Sequence, residues 1–263
     1  MEQMTSADDL FRIDGKVALV TGGYGGIGES VCRALASKGA KVAVTGHDAA
    51  KADACAETLR RLGGDAYATA FDALSVADTR RMVDDVVSHF GRLDILVNTV
   101  GGQREEQADA VTEENFDFVL DLNLKSVMFQ AQAAARHMIA QGTGGKQVHM
   151  GSVRTLLALR GRGFAAYCAA KGGLSVLCRQ LAAEWAEHRI NVNVVAPTFV
   201  RTQQVARWLE DPDFYRNLIS RIPIGRIAET HDVVGSVLFF VSPASDFITG
   251  QTLYLDGGIT TTQ

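Results

Sequence analysis

The chain is poor in the residues that break or cross-link a fold: four prolines and four cysteines in 263 residues. Cys32, Cys55, Cys168 and Cys178 are isolated, with no C-x-x-C pair, which excludes a disulfide scaffold. The six histidines (His47, His89, His137, His149, His188 and His231) show no metal-ligand spacing, so no metal site is expected. No apolar run approaches the ~18–20 residues needed to cross a bilayer, and no membrane segment is expected. Basic residues are not in excess. Lys and Arg number 26 against 30 Asp and Glu, a net charge of −4, which gives no electrostatic reason to expect nucleic acid. The first ten residues, MEQMTSADDL, are polar and acidic, unlike a signal or transit peptide. They are expected to form a flexible N-terminus on a soluble, cytoplasmic protein.

What the chain does have is alternation. Short apolar runs at Lys16–Val20, Lys41–Thr45, Tyr67–Phe71, Asp94–Asn98, Gln147–Met150, Asn191–Val195 and Thr252–Leu255 read as seven strands. Most are continuously hydrophobic, as strands covered on both faces must be. Between them lie amphipathic helical patterns at Gly26–Lys38, Ala49–Leu62, Val76–Phe90, Thr112–Gln141, Phe164–His188 and Glu229–Val241. The pattern predicts a single Rossmann-type, doubly wound α/β domain over residues 11–263, with a mainly parallel seven-stranded sheet. Gly142–Gly145 is expected as the turn ending the long fourth helix. The stretch Thr198–Pro223 follows the sixth strand and carries Trp208, Phe214 and Tyr215. Apolar residues in so long a connection predict a short helical cover over a substrate site.

The first strand runs into Thr21-Gly22-Gly23-Tyr24-Gly25-Gly26-Ile27-Gly28 and then a helix. Glycines here let the backbone turn tightly and approach a pyrophosphate, with the helix N-terminus facing the phosphates. Gly22, Tyr24, Gly26, Ile27 and Gly28 are the candidate phosphate-binding residues.

This T-G-x-x-x-G-I-G spacing resembles the short-chain dehydrogenase/reductase family, and the resemblance runs from about Leu10 to Gly258. It includes Asp72, Asn98-Thr99-Val100-Gly101, Asn123, Ser152, Tyr167-Cys168-Ala169-Ala170-Lys171, Pro197, Thr202 and Asp256-Gly257-Gly258. It implies that Asp72 and Ala73 meet the adenine ring, that backbone around Asn98 and Gly101 lines the dinucleotide, and that Val200 and Thr202 hold the nicotinamide carboxamide. Two departures fall on backbone-lined positions: N-T-V-G for the usual N-N-A-G, and Thr198 for a glycine after Pro197. They imply an altered fit.

Tyr167 and Lys171 are four apart, on one face of a helix. A phenol is a poor base at neutral pH unless a cation stabilises its anion, and a neighbouring ammonium or an oxidised nicotinamide does so. Tyr167 is thus the candidate acid/base in hydride transfer, with Ser152 binding the substrate oxygen. The resemblance adds that Lys171 binds the nicotinamide ribose and that Asn123 holds a water beside it. Ser152 lies fifteen positions before Tyr167, a longer spacing than the family usually has. Cys168, next to Tyr167, is expected to pack rather than react.

The cofactor is NAD or NADP. NAD-preferring relatives end the second strand with a carboxylate; here Gly46 stands, followed by His47 and Asp48. The missing carboxylate leans the choice toward NADP, with His47 meeting the 2′-phosphate; the alternative is that His47 lines the adenine pocket and both nucleotides work. The reaction expected is oxidation of a secondary alcohol or reduction of a ketone. Ser152-Val153-Arg154, Ala196–Thr202 and the closing DGGIT resemble gluconate 5-dehydrogenase-type members, which implies a sugar acid or polyol as the small-molecule substrate. Arg154 is then a candidate for its carboxylate; the alternative is an arginine that pairs with a nearby acid or is simply solvated. A 3-oxoacyl-carrier-protein reductase is a second possibility, with Arg104, Arg160 and Arg162 forming a basic mouth. A dinucleotide-sensing scaffold is a third, though such proteins typically lose the Tyr or Lys. The family usually forms homotetramers, and the helix faces at Phe116–Ala135 and Leu174–Ala186 are compatible with that.

Overall fold

The computed structural model describes residues 6–262. In chain order the elements are α1 (Ala7–Leu10), β1 (Val17–Thr21), α2 (Gly26–Ser37), β2 (Lys41–Gly46), α3 (Ala49–Arg61), β3 (Ala66–Ala70), α4 (Val76–Phe90) and β4 (Ile95–Asn98). There follow α5 (Glu113–Leu120), α6 (Ser126–Gln141), β5 (Gly145–Met150), α7 (Ala165–Trp185), β6 (Ile190–Pro197), α8 (Gln203–Leu209), α9 (Pro212–Ser220), α10 (Thr230–Val241), β7 (Thr252–Leu255) and α11 (Ile259–Thr262). The seven strands form one sheet in the order β3-β2-β1-β4-β5-β6-β7, and every pairing is parallel.

All five residues of β1 and all four of β4 are buried, because helices cover both faces. On one side Ala18, Val20, Val42 and Val44 pack against α2, α3 and α10 through Val31, Leu35, Leu59, Val237 and Phe240. On the other, Val17, Leu19 and Leu96 pack against α4, α6 and α7 through Met82, Val86, Ala134 and Leu174. Alternate residues of each strand thus feed two separate cores, the period-two consequence of the pleat.

The N-terminal stretch ends in a helical turn, α1, capped by the Ser6 side chain on Asp9 N–H, and residues 1–5 of the expected flexible N-terminus lie outside the described ones. Two expectations are corrected. The helix expected over Thr112–Gln141 is interrupted by one π turn, Asp121–Lys125, between α5 and α6. Gly145 is not part of the turn after α6 but already pairs with Ile190 as the first residue of β5. The connection after β6 does contain two short helices, α8 and α9. Their apolar residues form a third, small core in which Leu218, Ile222 and Phe214 meet Val153 and Ile259.

Candidate active site

The strand order reverses between β1 and β4, and the carboxyl ends of the central strands open there into a cavity of about 630 Å³. The chain leaves β1 through Gly22, whose φ of +72° favours glycine. A Cβ on Gly28 would lie 2.1 Å from the Gly22 carbonyl oxygen, and one on Gly26 would lie 2.8 Å from Thr202 Cγ2. Loop and helix therefore close on each other with no room for a methyl group. Gly25 caps α2 without a side-chain hydrogen bond, so the positive end of the helix presents free N–H groups to the cavity. A cradle of backbone donors at a helix N-terminus, filled by any added Cβ, fits a dinucleotide pyrophosphate.

At the far end of this loop, Tyr24 folds over Gly46. A Cβ on Gly46 would sit 2.3 Å from Tyr24 Cε1, so the ring occupies the space a side chain at the end of β2 would need. The Tyr24 hydroxyl accepts the Asp48 N–H at 2.9 Å and lies 3.1 Å from His47 Nδ1. Lys51, in the first turn of α3, lines the cavity and sits 3.4 Å from Asp48 Oδ2. Sequence reasoning missed Lys51. Its position one turn past the end of the second strand was the available signal.

At the reacting end, α7 brings Tyr167 and Lys171 to the cavity wall one turn apart. Lys171 Nζ is 5.7 Å from the Tyr167 ring centroid and donates to the Met150 carbonyl at 2.8 Å. Burial pulls its ammonium down to about 8. Ser152, just past β5, hydrogen-bonds the Tyr167 hydroxyl. The longer spacing is absorbed by the 3₁₀ turn Val153–Thr155 and the loop beyond it, so Ser152 and Tyr167 still meet. Burial pushes the Tyr167 phenol up, while the Ser152 hydrogen bond and then the Arg154 cation pull it down. Arg154 thus acts on the phenol as a second cation beside Lys171.

Asn123 sits in the π turn, fully buried. Its Nδ2 donates to the Gly102 and Val119 carbonyls at 2.8 and 2.9 Å, and its Oδ1 accepts the Gly102 N–H at 3.3 Å. A Cβ on Gly101 would meet Asn123 Oδ1 at 3.0 Å and Lys171 Nζ at 3.6 Å, so both side chains converge on that glycine. The extra residue of a π turn rotates the helix locally, a recurrent device at functional sites.

Arg154 is 6% exposed and lines the cavity. Its Nη1 donates to the Leu157 and Ala158 carbonyls, both at 3.0 Å. No described carboxylate pairs with it; the titratable groups acting on it are Cys168, Arg221 and Tyr167, and burial lowers its pKa without making it neutral. Among the described residues it is neither acid-paired nor solvated, and loop support uses one nitrogen of the guanidinium. Cys168, whose thiol burial pushes up, is not activated.

Around the mouth, Arg162 pairs with Glu105, and its guanidinium lies 5.2 to 5.9 Å from the rings of Trp208, Phe164 and Phe214. It thereby ties the loop before α7 to the loop after β4 and to α8 and α9. Arg104 pairs with Glu114 and stacks on Phe118. Two of the three arginines of the expected basic mouth are thus neutralised. Two residues of the lining, Gln103 and Thr198, each bury an oxygen without a partner, Oε1 and Oγ1; no motif or spacing marks Gln103 as part of the site.

Val200 and Thr202 line the cavity as expected, Thr202 packed on Gly26. His47, Asp72, Ala73 and Asn98 stand outside the lining. His47 touches it through Tyr24. Asp72, exposed at the end of β3, accepts the Leu74 N–H at 2.9 Å. Asn98 is buried, donates to Gln130 Oε1 and accepts the Val100 N–H, fixing the backbone of the loop that does line the cavity.

The family model described as enoyl-(acyl carrier protein) reductase matches residues 22–260. The chain is 36% identical to 2-dehydro-3-deoxy-D-gluconate 5-dehydrogenase of Escherichia coli K12 over 94% of its length and 96% of that protein's. It is similar in structure to a gluconate 5-dehydrogenase from Burkholderia cenocepacia J2315, solved in complex with NADP and tartrate. There the TM-score is 0.94 at 37% identity, covering 98% of this chain and all of that one. The chain belongs to the short-chain dehydrogenase/reductase family. Membership makes it an NAD(P)-dependent oxidoreductase acting between an alcohol and a ketone. Another short-chain dehydrogenase, D-threitol dehydrogenase of Mycolicibacterium smegmatis, is 37% identical over 98% of each chain, so relatives at this distance bear the names of both acidic and uncharged polyol substrates.

Proposed function

We propose that this protein interconverts a secondary alcohol and a ketone on a polyhydroxy acid, with NADP as its preferred nucleotide. The observation that carries the substrate class is Arg154: a buried guanidinium, facing the cavity beside Ser152 and Tyr167, with no described carboxylate to neutralise it. A buried cation without a counter-charge is costly, and a substrate carboxylate supplies one bidentately. Polar residues of the lining, Gln103 and Thr198 among them, suit a polyol chain better than an acyl thioester. The relatives named for gluconate derivatives, and the tartrate in one of their structures, support the same class.

A bound nicotinamide dinucleotide would supply hydride transfer. Gly22, Gly26, Ile27 and Gly28 would hold its pyrophosphate, Val200 and Thr202 its carboxamide end, Gly101 its ribose wall, and Lys171 the ribose hydroxyls. Asp72 and Ala73 would lie toward the adenine side, with Asn98 supporting the loop behind. Tyr24, His47 and Lys51 supply hydrogen-bonding and positive groups for a 2′-phosphate, and the Tyr24 ring leaves no place for the carboxylate that would repel it. Ser152 donates to the substrate oxygen, and Tyr167 takes or gives the proton there. Asn123 fixes the Gly101–Gly102 backbone beside Lys171, where a water can connect that lysine outward. The segment 198–223 covers the substrate and Arg162 latches it.

No described helix is long and apolar enough to cross a membrane, and we place the protein in the cytoplasm. The exposed β7 edge with Leu253 and Phe247, and the apolar face of Leu124, Met128 and Leu177, suit the two contacts of a homotetramer. The test is Arg154→Ala. KM for a sugar acid should rise ~10–100-fold, the scale of lost charge-assisted hydrogen bonds, while an uncharged polyol of similar length is spared. Equal losses on both substrates mean that Arg154 only supports its loop.

A further inference from the structure

Cys32 on α2 and Cys55 on α3 converge beneath the glycine-rich loop. Cys32 Sγ donates to the Gly23 carbonyl at 3.4 Å, and Cys55 Sγ lies 3.7 Å from the same oxygen. The two sulfurs thus share one carbonyl oxygen. A Cβ on Gly23 would sit 3.1 Å from Cys32 Sγ, so the loop backbone rests directly on that sulfur. Cys32 is fully buried and Cys55 is partly exposed. We propose that Cys32 and Cys55 form a peroxide-sensitive dithiol whose oxidation to a disulfide lowers the affinity of the loop for its nucleotide. The second half of that statement rests on the loop being the pyrophosphate site.

The chemistry is asymmetric. Once Cys55 ionises, the Cys32 S–H can turn from the Gly23 carbonyl to that sulfur, which holds the Cys55 thiol below its ordinary range, whereas burial pushes Cys32 well above its own. Cys55, accessible and more readily ionised, is the nucleophile. Its thiolate attacks one oxygen of hydrogen peroxide, the O–O bond breaks, and the departing hydroxide takes up a proton to leave as water. Cys32 then attacks the sulfenic sulfur of Cys55. The S–O bond breaks, the S–S bond forms, and the oxygen leaves as a second water with the Cys32 proton. Two thiols lose two electrons and two protons, and peroxide is reduced to two waters.

The structural consequence follows from the two S–H groups. Both point at the Gly23 carbonyl, and a disulfide has no hydrogen to donate. A buried carbonyl that loses its donors must turn or be left unpaired. Gly23 lies between Gly22 and Tyr24, so turning its peptide group moves the loop. Drawing the sulfurs to bond length also pulls α2 toward α3. The other two cysteines are poor competitors: burial pushes Cys178 up to about 12 and also raises Cys168.

The experiment treats the intact protein with hydrogen peroxide, maps its peptides without reduction, and titrates NADP by equilibrium binding before and after. The account expects a Cys32–Cys55 cross-linked peptide pair and an NADP Kd raised about tenfold, a fall matching the loss of one buried hydrogen bond. A thiol reductant should reverse both. Cys55→Ser keeps a donor for Gly23 and should bind NADP normally before and after peroxide. A Cys55 sulfinic acid with no cross-link overturns the proposal, as does a cross-link that leaves Kd unchanged. Failure of the reduced protein to bind NADP would instead overturn the reading of the loop.

Discussion

At Tyr167 burial and hydrogen bonding act in opposite directions, and the balance fixes which proton transfer is easy. Desolvation raises the phenol above its ordinary value, against the Ser152 hydrogen bond and the Arg154 cation. Near neutral pH the side chain is protonated, the form that donates to a ketone. Oxidation needs the phenolate, so kcat for alcohol oxidation should rise with pH by up to about tenfold per unit below the Tyr167 pKa. Ketone reduction should be flat there and fall only in alkali. A pH-rate profile in both directions checks this. Tyr167→Phe keeps the ring and removes the proton, so kcat should drop ~10²–10⁴-fold with NADP affinity unchanged. Stopped assays and equilibrium titration of the same variant separate the two quantities. Tyr167, Lys171 and Ser152 were legible as residue types at a spacing. The burial of Arg154 was not, because its partners are the Leu157 and Ala158 carbonyls, and backbone acceptors leave no trace in a side-chain sequence.

Among the elements, the loop from β1 to α2 and the end of β2 act as one piece. Tyr24 from the first fills the place above Gly46 in the second, so nucleotide choice belongs to the pair. Gly46→Asp alone should weaken both NAD and NADP by an order of magnitude or more, because the new side chain meets the Tyr24 ring. Adding Tyr24→Gly should restore binding with the ratio of NAD to NADP kcat/KM reversed. Persistent NADP preference in the double variant would show that Tyr24 does not select the nucleotide. The glycine loop itself could be read from its order strand-glycines-helix, since each glycine answers a steric demand. The Tyr24–Gly46 contact could not, because it joins residues twenty-two apart whose types are each unremarkable in a loop. The π turn was hidden for a related reason. One inserted residue barely disturbs the apolar period of α5 and α6, yet it is what sets Asn123 against Gly102.

Across the whole molecule, the seven strands and their places along the chain followed from continuous apolar runs alternating with amphipathic ones. Errors fell at element ends, where pairing and caps decide, as at Gly145, and at the π turn between α5 and α6. One buried group gives the fold a predictable response to acid. His149 on β5 is fully buried with neither ring nitrogen partnered, and burial, then the Lys171 cation, pulls its pKa to about 3. Above about 6.5 the imidazole is neutral both folded and unfolded, and stability is complete. As pH falls below that value the unfolded chain takes up a proton that the folded one refuses. Stability is then lost at up to ~1.4 kcal/mol per pH unit until about 3. Lys171, at about 8, is charged in both states throughout this window and adds no slope. Urea unfolding between pH 4 and 7 should show the decline, and His149→Gln should flatten it. An unchanged slope in that variant would assign the acid sensitivity elsewhere.

On the proposed reading, a buried, uncompensated Arg154 beside Tyr167 makes this oxidoreductase selective for polyhydroxy acids. Initial rates of NADP reduction on a matched pair, a sugar acid and the uncharged polyol of equal chain length, test it most directly. The account predicts a kcat/KM for the acid at least ~10-fold higher, the worth of one charge-assisted pair. It also predicts that the difference collapses in Arg154→Ala. A polyol turned over as well as, or better than, its acid by the unmodified protein would contradict it.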